Sequence, residues 1–276
     1  MRKNTGSCIA KPVNCENASS SVESARAEGW KSGERLAKRM ARCGVASRRQ
    51  AERLICEGKV SVNGVTVLTP VFNLSLDDEV RVSGQCVFAE QTRLFAFYKP
   101  QGIITTTYDD KQRTTVFDIL PEGVPRLLSV GRLDISSEGL LLLTNDGALK
   151  RRFERPENAF ERKYRVRVRN RRQSRAEVVD SDFDLLREGM SISGIHYLPA
   201  NVTLERVKKG NSWINITLKE GKNREIRRML EAIDFNASRL IRTSFGPFTL
   251  EGLAVGELKE LSLSAFEAYL GDSIEL

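Results

Sequence analysis

Apolar residues recur at helical spacing only in short bursts along this chain, and between them the prevailing pattern is alternation. Leu36 and Met40 with their neighbours form one helical stripe, and Gly44 stops it. Ser47-Arg48-Arg49-Gln50 reads as a capping box opening a second helix, whose buried face is Ala51, Leu54 and Ile55 and whose end is Gly58. Val60 to Val67 alternates about Asn63-Gly64, a pair that favours tight hairpins because both central residues tolerate positive φ, and a further strand fits Glu79 to Val82. Leu127–Val130 and Leu140–Leu143 are too short for helices and rich in residues that bury on both faces, so they predict strands. From Lys163 to Arg169 basic residues alternate with Tyr164, Val166 and Val168, giving one apolar and one cationic strand face. Trp213 to Lys219 also alternates, and a helix with Ile226, Met229, Leu230 and Ile233 on one stripe follows. Recurrent Pro and Gly between Pro100 and Pro125 imply loops joining short strands, and the whole is an α+β pattern.

At 276 residues and 40% hydrophobic content the chain has material for one small and one larger domain. The first 32 residues mix Ser, Asn, Glu and Lys without periodicity, which predicts a disordered tail to which no function is assigned. Lys and Arg number 44 against 36 acids, for a net charge of +8, which favours a polyanionic partner. That charge is concentrated. Arg35, Lys38, Arg39, Arg42, Arg48, Arg49 and Arg53 face a single acid, Glu52, between positions 35 and 53, and solvated helix faces ordinarily interleave both signs; this predicts a phosphate-binding face. Cys8, Cys15, Cys43, Cys56 and Cys86 form no Cys-x-x-Cys pair and read as reduced thiols. No stretch approaches the ~20 apolar residues of a membrane helix, and the first thirty residues hold no apolar core of signal-peptide length. A soluble, cytoplasmic monomer is expected.

The inventory also excludes chemistry. With His196 as the one histidine, serine–histidine triads and histidine-based zinc centres lack material, and no phosphate-cradling glycine loop or dinucleotide fingerprint occurs. Chemistry without a cofactor remains. Residues 131 to 147, Gly-Arg-Leu-Asp-Ile-Ser-Ser-Glu-Gly-Leu-Leu-Leu-Leu-Thr-Asn-Asp-Gly, place Asp134 on a turn between two core strands. In cationic surroundings it is expected to be a carboxylate, able to act as nucleophile or base but not as a proton donor. Glu138 and Asp146 could complete a carboxylate trio, but Asn145-Asp146-Gly147 reads better as a turn, and no metal is expected.

The run from Gly131 to Gly147 closely resembles that of the RsuA-type ribosomal RNA pseudouridine synthases, whose Gly-Arg-Leu-Asp carries the catalytic aspartate. The helices of residues 33 to 92, the string Gly44-Val-Ala-Ser-Arg-Arg49 and the Val-Asn-Gly hairpin resemble an S4-type RNA-binding domain. The resemblance spans about residues 33 to 270. It implies an S4-like domain over 33–92 and a catalytic domain over 93–276 built on a mixed, largely antiparallel sheet. It implies isomerisation of one uridine to pseudouridine, with Asp134 as nucleophile. Tyr164, in Lys163-Tyr-Arg-Val166, would pack on the target base, and Lys222, in Glu220-Gly-Lys-Asn-Arg-Glu-Ile-Arg-Arg-Met229, is the best candidate to pair with Asp134. Arg132 would help hold the nucleotide out of its helix; Arg224, Arg227 and Arg228 would contact phosphate or lie on the helix surface. The later motif looks more like members acting on large-subunit (23S) than small-subunit (16S) RNA. Ser137 stands where Thr is frequent and Arg155-Pro156 where His-Pro is frequent; neither is expected to touch the nucleophile, and both bear on the fine shape of the RNA groove.

Overall fold

The computed structural model describes residues 33–88, 90–171, 178–207, 212–264 and 266. The tail expected over residues 1–32 lies outside them. The chain divides into two compact units between Thr92 and Arg93.

In the first unit β1 (Glu34–Arg35) runs into α1 (Leu36–Arg42), and α2 (Arg48–Cys56) follows. Ser47 Oγ accepts from the Gln50 amide at 3.3 Å while the Gln50 side chain accepts from the Ser47 amide at 3.0 Å, so the capping box forms in full. β2 (Val60–Val62) and β3 (Val65–Thr66) turn on Asn63 and Gly64, at φ of +50° and +81°. β4 (Asn73–Leu74) pairs with β1, β5 (Val80–Val82) with β2, and β6 (Gln85–Cys86) with β5. Asn63 ties the turn to β5 by accepting from the Glu79 amide at 2.9 Å. Leu36, Met40, Ala51, Ile55, Val60 and Val80 make the core; Leu54, assigned to it from the sequence, is half-buried at its edge.

The second unit is built on β7 (Leu94–Lys99), β8 (Leu128–Ser129), β9 (Glu138–Thr144), α3 (Gly147–Glu154), β10 (Arg162–Asn170), α4 (Asp184–Glu188), β11 (Met190–Ile192), β12 (Ile195–Tyr197), β13 (Asn201–Arg206), β14 (Ser212–Leu218), α5 (Glu225–Ala232), β15 (Phe235–Phe245), β16 (Phe248–Thr249) and β17 (Leu258–Leu261). Its main sheet runs β13-β14-β10-β15-β9-β7-β17, with β8 beside β9 and β16 beside β15. Among the pairings described, only β9 with β15 is parallel, so the sheet is mixed and largely antiparallel.

Burial on both faces explains the unbroken leucine run. Leu141 and Leu143 join one apolar cluster with Phe95 and Phe97 of β7, while Leu140 and Leu142 join the opposite one with Leu94 and Ala96. β10 shows the expected alternation, with Tyr164, Val166 and Val168 buried. Its other face is less cationic in effect than the sequence suggests: Arg165 forks onto Glu205 at 2.8 Å and lies 4.3 Å from the Trp213 ring centre. One expectation is corrected outright. Asn145-Asp146-Gly147 opens α3 rather than making a turn, and Asp146 Oδ1 caps it by accepting from the Ala148 amide at 2.6 Å.

Candidate active site

Asp134 sits in the loop that joins β8 to β9, and that loop is tied to the scaffold at several points. Leu133 is buried, and its carbonyl accepts from Thr105 Oγ1 at 3.0 Å. The Ser137 amide closes a turn onto the Asp134 carbonyl at 3.0 Å, and the Gly102 amide donates to the Ile135 carbonyl at 2.7 Å. Beneath the turn Lys99, fully buried at the end of β7, donates from Nζ to the carbonyls of Pro100, Asp134 and Ser137 at 3.0, 3.2 and 2.8 Å. An ammonium has three N–H groups, and each finds a carbonyl. Burial pulls the Lys99 pKa down to about 8, against the opposing pull of Asp134 and Glu138. At neutral pH the group is still mostly charged. From the far side Arg227 donates to the Ser136 carbonyl at 3.0 Å and to the Ala237 carbonyl at 2.7 Å, joining α5 and β15 to the loop.

The Asp134 side chain, about one-third exposed, faces an open cavity of about 960 Å³. Tyr164 lines it from β10, with Arg162 and Arg242 beside it; Lys222 and Arg224 line it from the loop before α5. Cations in the lining outnumber acids two to one, as binding of a phosphodiester chain requires. Tyr164 also belongs to the apolar cluster of Val166 and Val168, so its ring is core on one side and cavity wall on the other. Arg132 is exposed at the rim.

The cation beside Asp134 is not Lys222. Arg224 Nη1 stands 3.9 Å from Asp134 Oδ2, whereas Lys222 Nζ is held by the Glu220 carboxylate and donates to the His196 carbonyl at 2.7 Å. The reason is local: Arg224 takes the left-handed conformation, φ +52°, immediately before α5, which turns its side chain back towards the β8–β9 loop. Arg227, expected on phosphate or the helix surface, is a loop brace instead. Arg228 reaches Tyr197 Oη at 3.4 Å and Asn223 Oδ1 at 3.3 Å, and His196 Nδ1 lies 3.2 Å from Ser191 Oγ. Glu138 forks onto Arg239 at 2.6 and 3.0 Å, so neither it nor the capping Asp146 joins Asp134 in a carboxylate cluster.

In the first unit Arg35, Arg48, Arg49 and Arg53 are exposed and Lys38 is half-exposed. Arg39 does not belong to that face. It is fully buried, 3.7 Å from Glu34, and donates to the Ser75 carbonyl at 3.1 Å; desolvation lowers its pKa. Glu34, one residue before the basic stretch begins, also pairs with Lys38 and Arg42 at 3.1 Å each. Sequence reasoning missed Lys99, Arg242 and Glu225. A usable signal existed for the first, a lysine closing the apolar run Leu94-Phe-Ala-Phe-Tyr98.

A carboxylate fixed at the mouth of a cationic cavity, in a chain with a second, separate basic unit, is the layout of an enzyme that works on a nucleic acid. The class becomes specific on comparison with known proteins. The family model described as RNA pseudouridylate synthase matches residues 93–232, and the S4 domain model matches 34–80. An uncharacterized RNA pseudouridine synthase of Rickettsia felis is 43% identical over 85% of this chain and 99% of its own length. Proteins named ribosomal large subunit pseudouridine synthase B are 37% identical in Bacillus subtilis, over 83% of this chain and 92% of theirs, and 37% identical in Yersinia pestis, over 88% and 77%. A solved pseudouridylate synthase superposes with a TM-score of 0.58 at 27% identity, over 85% of this chain and 99% of that one. The chain belongs to the RNA pseudouridine synthase family: an S4 domain followed by a pseudouridine synthase domain.

Proposed function

We propose that the protein isomerises a uridine of large-subunit ribosomal RNA to pseudouridine, in the cytoplasm and as a monomer, with Asp134 as the group that acts on the ribose. The observation that carries this reading is the Asp134 loop, braced from three sides by Lys99, Thr105 and Arg227 with its carboxylate towards the cationic cavity. Preference for 23S over 16S RNA is supported by the names of the Bacillus and Yersinia relatives.

The target nucleotide leaves its stack at a cost of a few kcal/mol, offset by phosphate contacts from the cavity rim, Arg132 among them. Tyr164 offers its ring to the uracil. The N1–C1′ bond breaks, the base turns, and C5 bonds to C1′; C5 loses its proton and N1 gains one, so atoms and electrons balance without a redox partner. Asp134 acts as nucleophile or base, and Arg224 orients it and offsets its charge. Lys222 acts on this centre through the loop it helps to hold.

Replacing Asp134 with Asn keeps the shape and removes the nucleophile. Wild-type protein, given unmodified 23S and 16S transcripts or partly assembled subunits without added metal, is expected to create one pseudouridine in 23S RNA, mapped by carbodiimide-stop primer extension. Asp134→Asn should create none while binding RNA normally. Equal activity of the two proteins would end this assignment.

A further inference from the structure

Glu225, the first residue of α5, is only 3% exposed, yet the Glu220 carboxyl stands within hydrogen-bonding reach of its own. Its Oε2 accepts from the Lys222 amide at 2.9 Å, while Oε1 is buried with no donor in reach. A buried carboxylate oxygen without a donor is costly, and cost of this kind is normally removed by a hydrogen bond or a proton. The neighbouring carboxylate is that of Glu220, itself committed: Oε1 accepts from the Leu198 amide at 2.9 Å and Oε2 holds Lys222 Nζ. One proton placed on Glu225 and donated to Glu220 satisfies both groups.

Resting on the assignment of Asp134 above, we propose that Glu225 is a positioning residue: as the neutral acid it donates to the Glu220 carboxylate, and this acid–carboxylate pair clamps residues 221–224 so that Arg224 faces Asp134. The clamp closes on both ends of that segment. Glu220 anchors its start to Leu198, just past the end of β12, and to Lys222, and Glu225 anchors its end to the Lys222 amide. Arg224, between them, is held in a left-handed conformation that an unrestrained arginine rarely adopts.

Three charged groups act on Glu225: Glu220 and Lys222 from the preceding loop and Arg162 from β10. Burial raises its pKa to about 8, with the Glu220 contact adding and Lys222 opposing. Burial also acts to raise the pKa of Glu220, but its bonds from Glu225, Lys222 and the Leu198 amide outweigh that and hold it below the usual carboxylate value. The proton therefore belongs to Glu225 at neutral pH.

Glu225→Gln keeps a neutral donor and an acceptor in the same places, whereas Glu225→Ala keeps neither. At neutral pH Glu225→Gln should retain kcat within about fivefold, and Glu225→Ala should lose about tenfold or more with RNA affinity little changed. Other groups that titrate in the alkaline range, Lys99 and the uridine itself, are common to wild type and Glu225→Gln and cancel in their ratio. That ratio of kcat/KM should fall as pH rises through about 8. Infrared spectra of the unliganded proteins give a readout independent of activity: wild type at neutral pH should show a protonated-carboxyl band that Glu225→Gln lacks. No such band, or a ratio that stays level through pH 8, overturns the clamp. Wild type that modifies no uridine overturns the reading of Asp134 instead, and the infrared spectrum then decides this proposal alone.

Discussion

Lys99 is the residue on which the Asp134 loop rests, and its chemistry makes two quantities move in opposite directions with pH. In the folded chain the ammonium keeps its proton up to about pH 8, against 10.5 when free. Between those values the unfolded state binds more protons, so raising pH across the window stabilises the folded protein, because the buried charge is being relieved. Wild type should therefore gain stability relative to Lys99→Met as pH rises through it, read as urea midpoints of the two proteins. Activity should fall over the same range, since the neutral amine has fewer N–H groups for the three carbonyls it now holds. At neutral pH Lys99→Met should cost about 10- to 100-fold in kcat, as expected when the loss of its support lets the Asp134 carboxylate shift by up to about 1 Å. A variant with unchanged kcat would show that the loop holds its shape without the lysine.

At the scale of elements the decisive contact is where β9 passes β15 in the parallel direction. Gly139 and Arg242 stand in register there, and a Cβ on Gly139, at φ +107°, would lie 2.4 Å from the Arg242 carbonyl oxygen and 2.7 Å from its amide nitrogen. Backbone cannot yield as a side-chain tip can, so Gly139→Ala should cost more than about 3 kcal/mol and lower the thermal midpoint sharply; a shift within measurement error would refute the crowding. The same strand shows why parts of the fold were legible in the sequence. A four-leucine run bounded by Gly and Thr has only one economical placement, between two apolar layers, and β10, β14 and α5 declare themselves by period. α3 did not, because its apolar positions are few and its cap, Asp146 before Gly147, has the composition of a turn. The place of Asp134 on a loop between two core strands was legible from the apolar runs that flank it, but its surroundings were not. Lys99 carries a partial signal, as the lysine that closes an apolar run, and Arg39 looks like a surface cation, but only the pairing of distant segments reveals that carbonyls of residues 134 and 137, and the Glu34 carboxylate, enclose them. The placing of Arg224 rather than Lys222 on Asp134 depends on one positive φ, which composition does not encode.

For the molecule as a whole, the cavity and the exposed basic helix face belong to different units. Every residue lining the cavity lies beyond Arg93, while the exposed arginines 48, 49 and 53 lie on α2 in the unit before it. If those arginines meet phosphate, each contact they lose should flatten the dependence of log K on log salt by ~0.7 to 0.9. Neutralising all three should therefore weaken RNA binding most at low salt and raise KM. The turnover at saturating RNA should stay within about twofold, because uniform binding lost remote from the reacting atoms raises KM and leaves kcat alone. Filter binding across a salt series, with steady-state kinetics on the same protein, measures both. Arg39 is the internal contrast: it belongs to the same basic stretch but is fully buried beside Glu34, so its replacement should lower thermal stability rather than the salt slope. A triple variant whose salt slope equals that of wild type would remove α2 from the RNA interface and leave the cavity's own cations to hold the substrate.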